Sequence, residues 1–421
     1  MAATLPDVVR EALGTNPDVA EARNQWLARR EEVREAEGGF LPSLDLNAGI
    51  GYEYTDSPGT RAAANGSKEL TRRELGLTVR QMLFDGWGTR SEVQRQQARA
   101  NSAAARLLAV GESTALSATV AYVDLGRFGS LKGISEESLA THLRIADQIR
   151  LRSEAGVGRR ADLEQVISRV ALAEVNLVAA EVNLEDARTT FQRVVGRLPV
   201  DQSVSLDGLQ PDSLPASRDV LLEIAQAHNP ILAVAAADID AAKAQAAAAR
   251  QFDMPRFDLE IGGNLNDDID GIQGDVNDLS AMVRMRYNLY RGGSDSARKR
   301  ATAINVNEAR DVRDRSVRQL EETIRLAWAA LRATDAQLPL LRQQVDAALA
   351  TRDAYEMQFN IGQRTLLDVL NAENEVIQAR QDVVNTRADN LLAQYRLLEA
   401  MGALVDELGV GEALAMDPGG R

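Results

Sequence analysis

The stretch Pro42–Tyr54, PSLDLNAGIGYEY, decides the fold. Leu44, Leu46, Ala48, Ile50, Tyr52 and Tyr54 hold the even positions; Ser43, Asp45, Asn47, Gly49, Gly51 and Glu53 hold the odd ones. A strand sends alternate side chains to opposite faces, so the segment has one apolar and one polar face. Three more segments repeat the pattern. Leu75, Leu77, Val79 and Leu83 alternate with Glu74, Gly76, Thr78 and Arg80. Phe257, Leu259 and Ile261 alternate with Arg256, Asp258 and Glu260. Ala281, Val283, Met285, Tyr287 and Leu289 alternate with Arg284, Arg286 and Asn288.

Each segment is about the 9–11 residues that a tilted strand needs to cross a bilayer. The polar faces carry charges that a soluble sandwich core would not tolerate unpaired but a water-filled lumen does. Leu46, Leu77, Leu259 and Val283 are therefore expected to face lipid, and Asp45, Thr78, Asp258 and Arg284 the lumen. Phe40, Tyr52, Tyr54, Phe84, Trp87, Phe257, Tyr287 and Tyr290 cluster near the strand ends, as in the aromatic girdles of outer-membrane barrels. By themselves the strands fit a transmembrane barrel or two amphipathic hairpins packed on helices.

The 421 residues carry a net charge of −14, two histidines and no cysteine. The acidic balance argues against a nucleic-acid partner. The missing thiols exclude a disulfide, a lipid-anchor cysteine and a thiol nucleophile, and leave little for a zinc site. No apolar run approaches the ~18 residues of a transmembrane helix, so membrane entry would be by strands. The start, MAATLPDVV, lacks a leader's basic and apolar regions. The expectation is numbering from a mature chain; a cytoplasmic protein is the alternative. No acid/base or nucleophile constellation appears, so no enzymatic activity and no cofactor are expected.

Most of the remaining chain reads as long helices rich in Ala, Leu, Glu, Gln and Arg. A short helix covers about Leu5–Leu13, and Asn16-Pro17 opens the next, with proline in the first turn. Thr55–Lys68 reads as a polar loop. A very long helix runs from about Thr89 to Glu154, and Gly156–Gly158 breaks it. Leu163, Val166, Val170, Ala173, Leu177, Ala180, Leu184, Ala187, Phe191 and Val194 then follow 3- and 4-residue steps, a coiled-coil seam. Asp201–Ser217, with Pro211 and Pro215, is a linker.

The plan then repeats. Asn16-Pro17, Pro42 and Asp45 match Asn229-Pro230, Pro255 and Asp258; after the hairpins Phe84, Gly86, Gly156, Asp162 and Gly196 match Tyr290, Gly292, Gly362, Asp368 and Gly402. The first repeat spans residues 1–213, with hairpin 43–84 and long helices 89–197. The second spans 214–405, with hairpin 256–290 and long helices 294–402, and 406–421 is a tail. The two repeats are expected to fold as one unit. Gly126, Gly129 and Gly133 in the first long helix, and Pro339 in the second, suggest a bend partway along both.

Four strands cannot close, and an open edge in lipid leaves backbone groups unpaired at several kcal/mol each. Closure must come from an oligomer, two chains giving eight strands and three giving twelve. Helices of about 65 residues extend roughly 100 Å, far beyond any membrane.

This order, the repeat, FLPSLDL, LTVRQMLFDGW and above all IGQRTLLDVLNAENEVIQARQDVVNTRADNLLAQY (361–395) resemble the TolC-like family of outer-membrane efflux proteins. The resemblance covers about Leu5 to Leu404, most specifically at Gly362–Leu370. It implies a homotrimer: a twelve-stranded outer-membrane barrel continued by an α-helical tunnel through the periplasm. It also implies docking onto a periplasmic adaptor protein and an inner-membrane transporter, in type I secretion or tripartite drug efflux, and no enzymatic role. The hairpins, FLPSLDL and LFDGW look most like the type I secretion branch.

The resemblance further implies a periplasmic tip closed around two turns, here Gly156–Asp162 and Gly362–Asp368. It places an acidic residue of the first turn at Asp162 and the arginine that ties the turns at Arg364. Phe359 stands where the family has a tyrosine; Asp368 falls on the first pore-lining aspartate and Asn371 on the second, a departure. By spacing alone, Arg364 and Asp368 form an i,i+4 surface pair. Asn266, Asp268, Asp270 and Gly271 mimic a calcium loop, but Asn277 replaces the bidentate glutamate that such a loop needs; the segment is expected to be a polar extracellular loop. The leading function is an export duct for type I secretion. The alternatives are the outer-membrane channel of a drug pump and, in a different class, a soluble coiled-coil scaffold.

Overall fold

The structure, a computed structural model, describes residues 4–64, 67–155, 159–200 and 204–415. Its backbone falls into two units: Met1–Asn24, Ala105–Ala233 and Arg315–Arg421 form one, Gln25–Ala104 and Val234–Asp314 the other. Both draw on both halves of the chain.

The second unit holds one antiparallel sheet of β1 (Ser43–Thr55), β2 (Lys68–Phe84), β3 (Arg256–Ile269) and β4 (Ile272–Arg286), in the order β1-β2-β3-β4. The period-2 alternation that defines the strands also aligns them. Leu46 lies opposite Leu77, Leu77 opposite Gly263, and Leu259 opposite Val283. One residue of slip would invert a face, so the pattern holds the register.

Three local readings are corrected. The segment around Asn266–Asn277 is not a loop: β3 continues to Ile269 and β4 begins at Ile272. Asp270 and Gly271 both have positive φ, 55° and 76°, the two-residue turn that an Asp-Gly pair favours. Asp268 instead accepts from the Gly274 amide at 2.9 Å, and Asp270 pairs with Arg72 at 3.0 Å. The Thr55–Lys68 connection contains a helix, α3 (Pro58–Ala64). Proline suits its first turn, the Ser57 hydroxyl accepts from the Thr60 amide at 3.2 Å, and Arg61 grips Asp56 through two bonds. The fourth strand stops at Arg286, not near Tyr290. There the Asn288 side chain accepts from the Tyr290 amide at 3.1 Å, a local bond that competes with pairing and leaves Tyr287 and Leu289 outside the sheet.

The first unit is helical. Besides α3, the α-helices among the described residues are α1 (Leu5–Thr15), α2 (Pro17–Gly38), α4 (Gly88–Glu154), α5 (Arg160–Val195), α6 (Arg218–His228), α7 (Pro230–Ala248), α8 (Ser294–Asn360), α9 (Leu366–Met401) and α10 (Leu404–Glu407). α4 and α8 each span 67 residues, α5 and α9 each 36. α1 shows why its residues fold so: Thr4 and Asp7 form a capping box, and Leu5, Val8, Val9, Ala12 and Leu13 make one buried stripe. The core joins this stripe to Leu107, Phe191, Leu221, Ile324, Leu397 and Leu398. Each such side chain contributes about 1.5–3 kcal/mol by leaving water. On α5 every seam position is buried or half-buried, while Ile167, Val175, Val178 and Val182 on other faces are exposed.

α4 runs unbroken through Gly126, Gly129 and Gly133, and α8 through Pro339. Gly126 has a packing reason: a Cβ there would lie 2.7 Å from Leu206 Cδ2 and 2.9 Å from the Val204 carbonyl oxygen. The missing side chain lets the linker lie directly on α4.

Candidate functional site

The sheet has two unlike faces. Leu46, Leu77, Leu259 and Val283 share one, with Leu44, Ile50, Leu75, Ile261 and Leu279. Most of these side chains lie bare, Leu279 at 83% exposure, although Leu259 is half-buried. An apolar face this continuous is far larger than a water-facing surface normally tolerates. The other face carries Asp45, Thr78, Asp258 and Arg284, aligned across the strands. Most of its charges are paired. Arg256 bonds both oxygens of Asp258 at 3.0 Å, and Arg286 reaches Asp258 at 3.4 Å and Glu260 at 2.9 Å. Arg80 bonds Glu260 at 3.2 Å, and Arg284 bonds it as well. Near the turns, Arg72 bridges Glu53 at 2.8 Å and also binds Glu74 and Asp270.

β1 and β4 are the sheet's edges, each with a single strand neighbour among the described residues. Their outer backbone groups are available for pairing, which lipid would make obligatory.

The helical unit carries the second candidate region, the turn between α8 and α9. Gly362, φ 80°, reverses the chain, and its amide donates to the Phe359 carbonyl at 3.0 Å. Thr365 caps α9: its hydroxyl donates to Asp368 at 2.8 Å and accepts from the Asp368 amide at 3.3 Å, and the Thr365 amide donates back to the carboxylate at 3.1 Å. These bonds from Thr365, aided by the nearby Arg364 charge, hold the Asp368 carboxyl below its ordinary value. Arg364 lies 3.9 Å from Asp368, bonds Gln358 at 3.1 Å and stacks 4.2 Å from the centre of the Tyr355 ring.

The turn region has its own small core of Ile145 and Ile149 from α4, Val166 from α5, and Leu366 and Leu370 from α9. Leu163 and Phe359 pack against it, and the Arg152 guanidinium covers the Phe359 ring at 4.9 Å. Asp162 sits half-buried in the first turn of α5, and Asn371 is exposed on α9. Gly156 and Gly158 lie outside the described residues. Within one chain, among the described residues, the carboxylate beside Arg364 is Asp368 rather than Asp162. Tyr355 and Gln358 were not singled out from sequence. Their spacing, nine and six residues before Arg364, becomes informative only once the Gly362 turn folds Arg364 back toward α8.

The sequence matches the family described as "Outer membrane efflux protein" over residues 8–197 and 221–403. It is 28% identical over 413 residues to the outer membrane efflux protein BepC of Brucella suis biovar 1 (strain 1330), covering 97% of this chain and 87% of that protein. It is 25% identical over 425 residues to the proteases secretion protein PrtF of Dickeya chrysanthemi, covering 96% and 89%. The fold matches the solved outer-membrane channel OprN with a TM-score of 0.83 at 19% identity, covering 95% of this chain and 90% of that one. The chain belongs to the outer membrane efflux protein family and is an outer-membrane channel protein.

Proposed function

We propose that three copies close their sheets into one twelve-stranded barrel and act as a passive exit duct for type I protein secretion. The observation that carries the duct is the sheet: a bare apolar face, a charged opposite face, and two edges that a neighbouring copy would pair. Two-chain closure would give eight strands, too narrow a barrel for more than side chains or one small ligand, whereas twelve leave a passage. α4 and α8, at about 100 Å each, would extend that passage through the periplasm. At its far end the duct would meet a periplasmic adaptor protein and an inner-membrane transporter. Asp162, Phe359, Arg364, Asp368 and Asn371 would form the gate, and the bond from Arg364 to Asp162 would run between neighbouring subunits. No catalytic step is involved.

Type I secretion is supported by the similarity to PrtF, named as a protease-secretion protein. The second reading, a drug-pump channel, is supported by the similarity to BepC, named as an efflux protein. A soluble scaffold gives the apolar sheet face no use. Two measurements test the reading. Mass analysis in detergent should give a trimer; a monodisperse monomer that stays soluble without detergent defeats the duct. Deleting the gene should abolish export of a secreted protein. Loss of drug resistance with export intact favours the pump.

A further inference from the structure

We propose that the helix-proximal end of the polar sheet face is a guanidinium collar that binds carboxylates of an acidic polypeptide passing through the duct. The inference rests on the duct reading above. β1 and β3 begin, and β2 and β4 end, on the side where the chain connects to helices, and four arginines gather there: Arg80, Arg256, Arg284 and Arg286. Asp258 and Glu260 lie beneath them. The two carboxylates are 0% and 13% exposed, whereas the arginine side chains are between 46% and 54% exposed. The acids therefore act as struts, and the surface presented to a passing molecule is guanidinium. Among the strand residues of this face Asp45 on β1 is the further carboxylate at this end, so on the sheet itself arginine remains in excess; Glu32, Glu35, Asp85 and Glu92 line a pocket with Arg256 on the helix side of the collar.

The opposite, turn-proximal end is reversed in sign: Glu53, Glu74 and Asp270 surround Arg72. The residues between are mostly neutral: Asn47, Gly49, Gly76, Thr78, Gly262 and Ser280. The polar face is thus electrically polarised along the strands, and closure of three sheets would repeat the pattern around the lumen. A guanidinium offers five N–H donors in a fork that suits a carboxylate, more than one strut consumes. Arg256 faces Arg286 across adjacent strands, about 5 Å apart in backbone spacing. Such an array fits a polyvalent anion in extended form, and an acidic peptide matches it in charge and spacing. Rings of one sign in a pore attract the opposite ion, and the acidic far end would keep that ligand from being retained.

The test is planar-bilayer recording with a short poly-glutamate peptide on the tunnel side. The parent channel should show transient current blocks that become more frequent as salt is lowered. Arg284→Gln with Arg286→Gln should cut the block frequency about tenfold, and Arg284→Lys with Arg286→Lys should largely keep it. A glutamine pair that conducts and is blocked at the parent's rate overturns the collar. If that pair does not assemble, Arg80→Gln, which leaves Asp258 bonded to both Arg256 and Arg286, is read by the same criterion. A parent that forms no channel at all counts against the duct reading rather than the collar.

Discussion

The helical unit and the sheet are built by opposite rules from the same kinds of residues. In the helices, Leu398, Phe191 and Leu221 are withdrawn from solvent while most charged side chains, Glu112 and Glu373 excepted, remain in contact with it. In the sheet, Leu46, Ile50 and Leu279 lie bare while Asp258 is completely covered by arginines. Neither arrangement is stable in the other's solvent. The helical unit satisfies the hydrophobic effect within one chain. In the proposed duct the sheet would leave it to lipid, and keep its charges on the face that water or a cargo would reach. The solvent around a segment can therefore be read from which side its charges are hidden on.

The sharpest way to break this contrast is to exchange the rules. Phe191→Ala should destabilise the helical unit by about 3–5 kcal/mol, because it removes a large buried side chain and leaves a cavity. Leu46→Arg should cost about 2–4 kcal/mol if it sits at the membrane centre and less toward an interface. Thr78→Arg is the control: it lies beside the Leu46–Leu77 pair but on the opposite face, next to Asp45. Trimer yield after heating in detergent measures all three. Equal tolerance of arginine at positions 46 and 78 would show that the two faces do not meet different solvents.

A smaller effect sharpens the comparison through buried carboxylates. Asp258 in the sheet is neutralised by arginines. Glu112 in the helical core is 6% exposed, has the acidic neighbours Glu399 and Asp406, and accepts the Leu404 and Val405 amides at 3.1 and 3.3 Å. Burial outweighs those bonds and pushes its carboxyl up to about 7. The sign follows. An unfolded glutamate ionises near its ordinary value, so the folded state's proton advantage is present below that value. It is lost as pH rises toward about 7. Stability of the helical unit should therefore fall over that interval by an amount of order 2–3 kcal/mol. Glu112→Gln should flatten the profile, and thermal unfolding at a series of pH values measures it. An unchanged slope in the variant would assign the pH dependence to other groups.

How far the sequence reveals this architecture depends on how local each cause is. The strands were legible because alternation is written into adjacent residues, and the face assignment of Leu46 and Asp45 needed nothing else. The long helices ended at Gly196 and Gly402 for an equally local reason, the left-handed conformation at φ 92° and 71°. The end of β4 was misjudged because the Asn288 side chain diverts a backbone bond without disturbing the alternation. Burial of Glu112 was not legible at all: Leu404 and Val405, whose amides meet its carboxylate, lie almost three hundred residues away. The arginine collar was half legible. Arg256, Asp258 and Glu260 alternate along β3, but only the pairing with β2 and β4 brings Arg80, Arg284 and Arg286 over the same carboxylates.

The tip is where the comparison comes down to a few tenths of a kcal/mol, and where conductance replaces stability as the readout. Arg364 is held three ways within its own chain: by the Tyr355 ring, by Gln358 and, at 3.9 Å, by Asp368. Asp368 is engaged twice over by Thr365, so the long contact to Arg364 contributes little to folding, about 0.2–0.5 kcal/mol as an i,i+4 pair. Arg364→Ser should therefore leave assembly intact. In the proposed trimer it also removes the cation that would tie one subunit's turn to Asp162 of the next, so single-channel conductance should rise. Asp368→Ala removes this carboxylate from every subunit, so all three of the proposed ring at the pore mouth, and should weaken cation selectivity. It also removes the capping-box partner of Thr365 at the start of α9, so Asp368→Asn, which keeps a hydrogen-bonding side chain there without the charge, separates selectivity from folding. Bilayer recordings decide the matter. Parent-like conductance in Arg364→Ser together with parent-like selectivity in Asp368→Asn would leave these residues as a helix cap and its neighbour, and place the gate elsewhere.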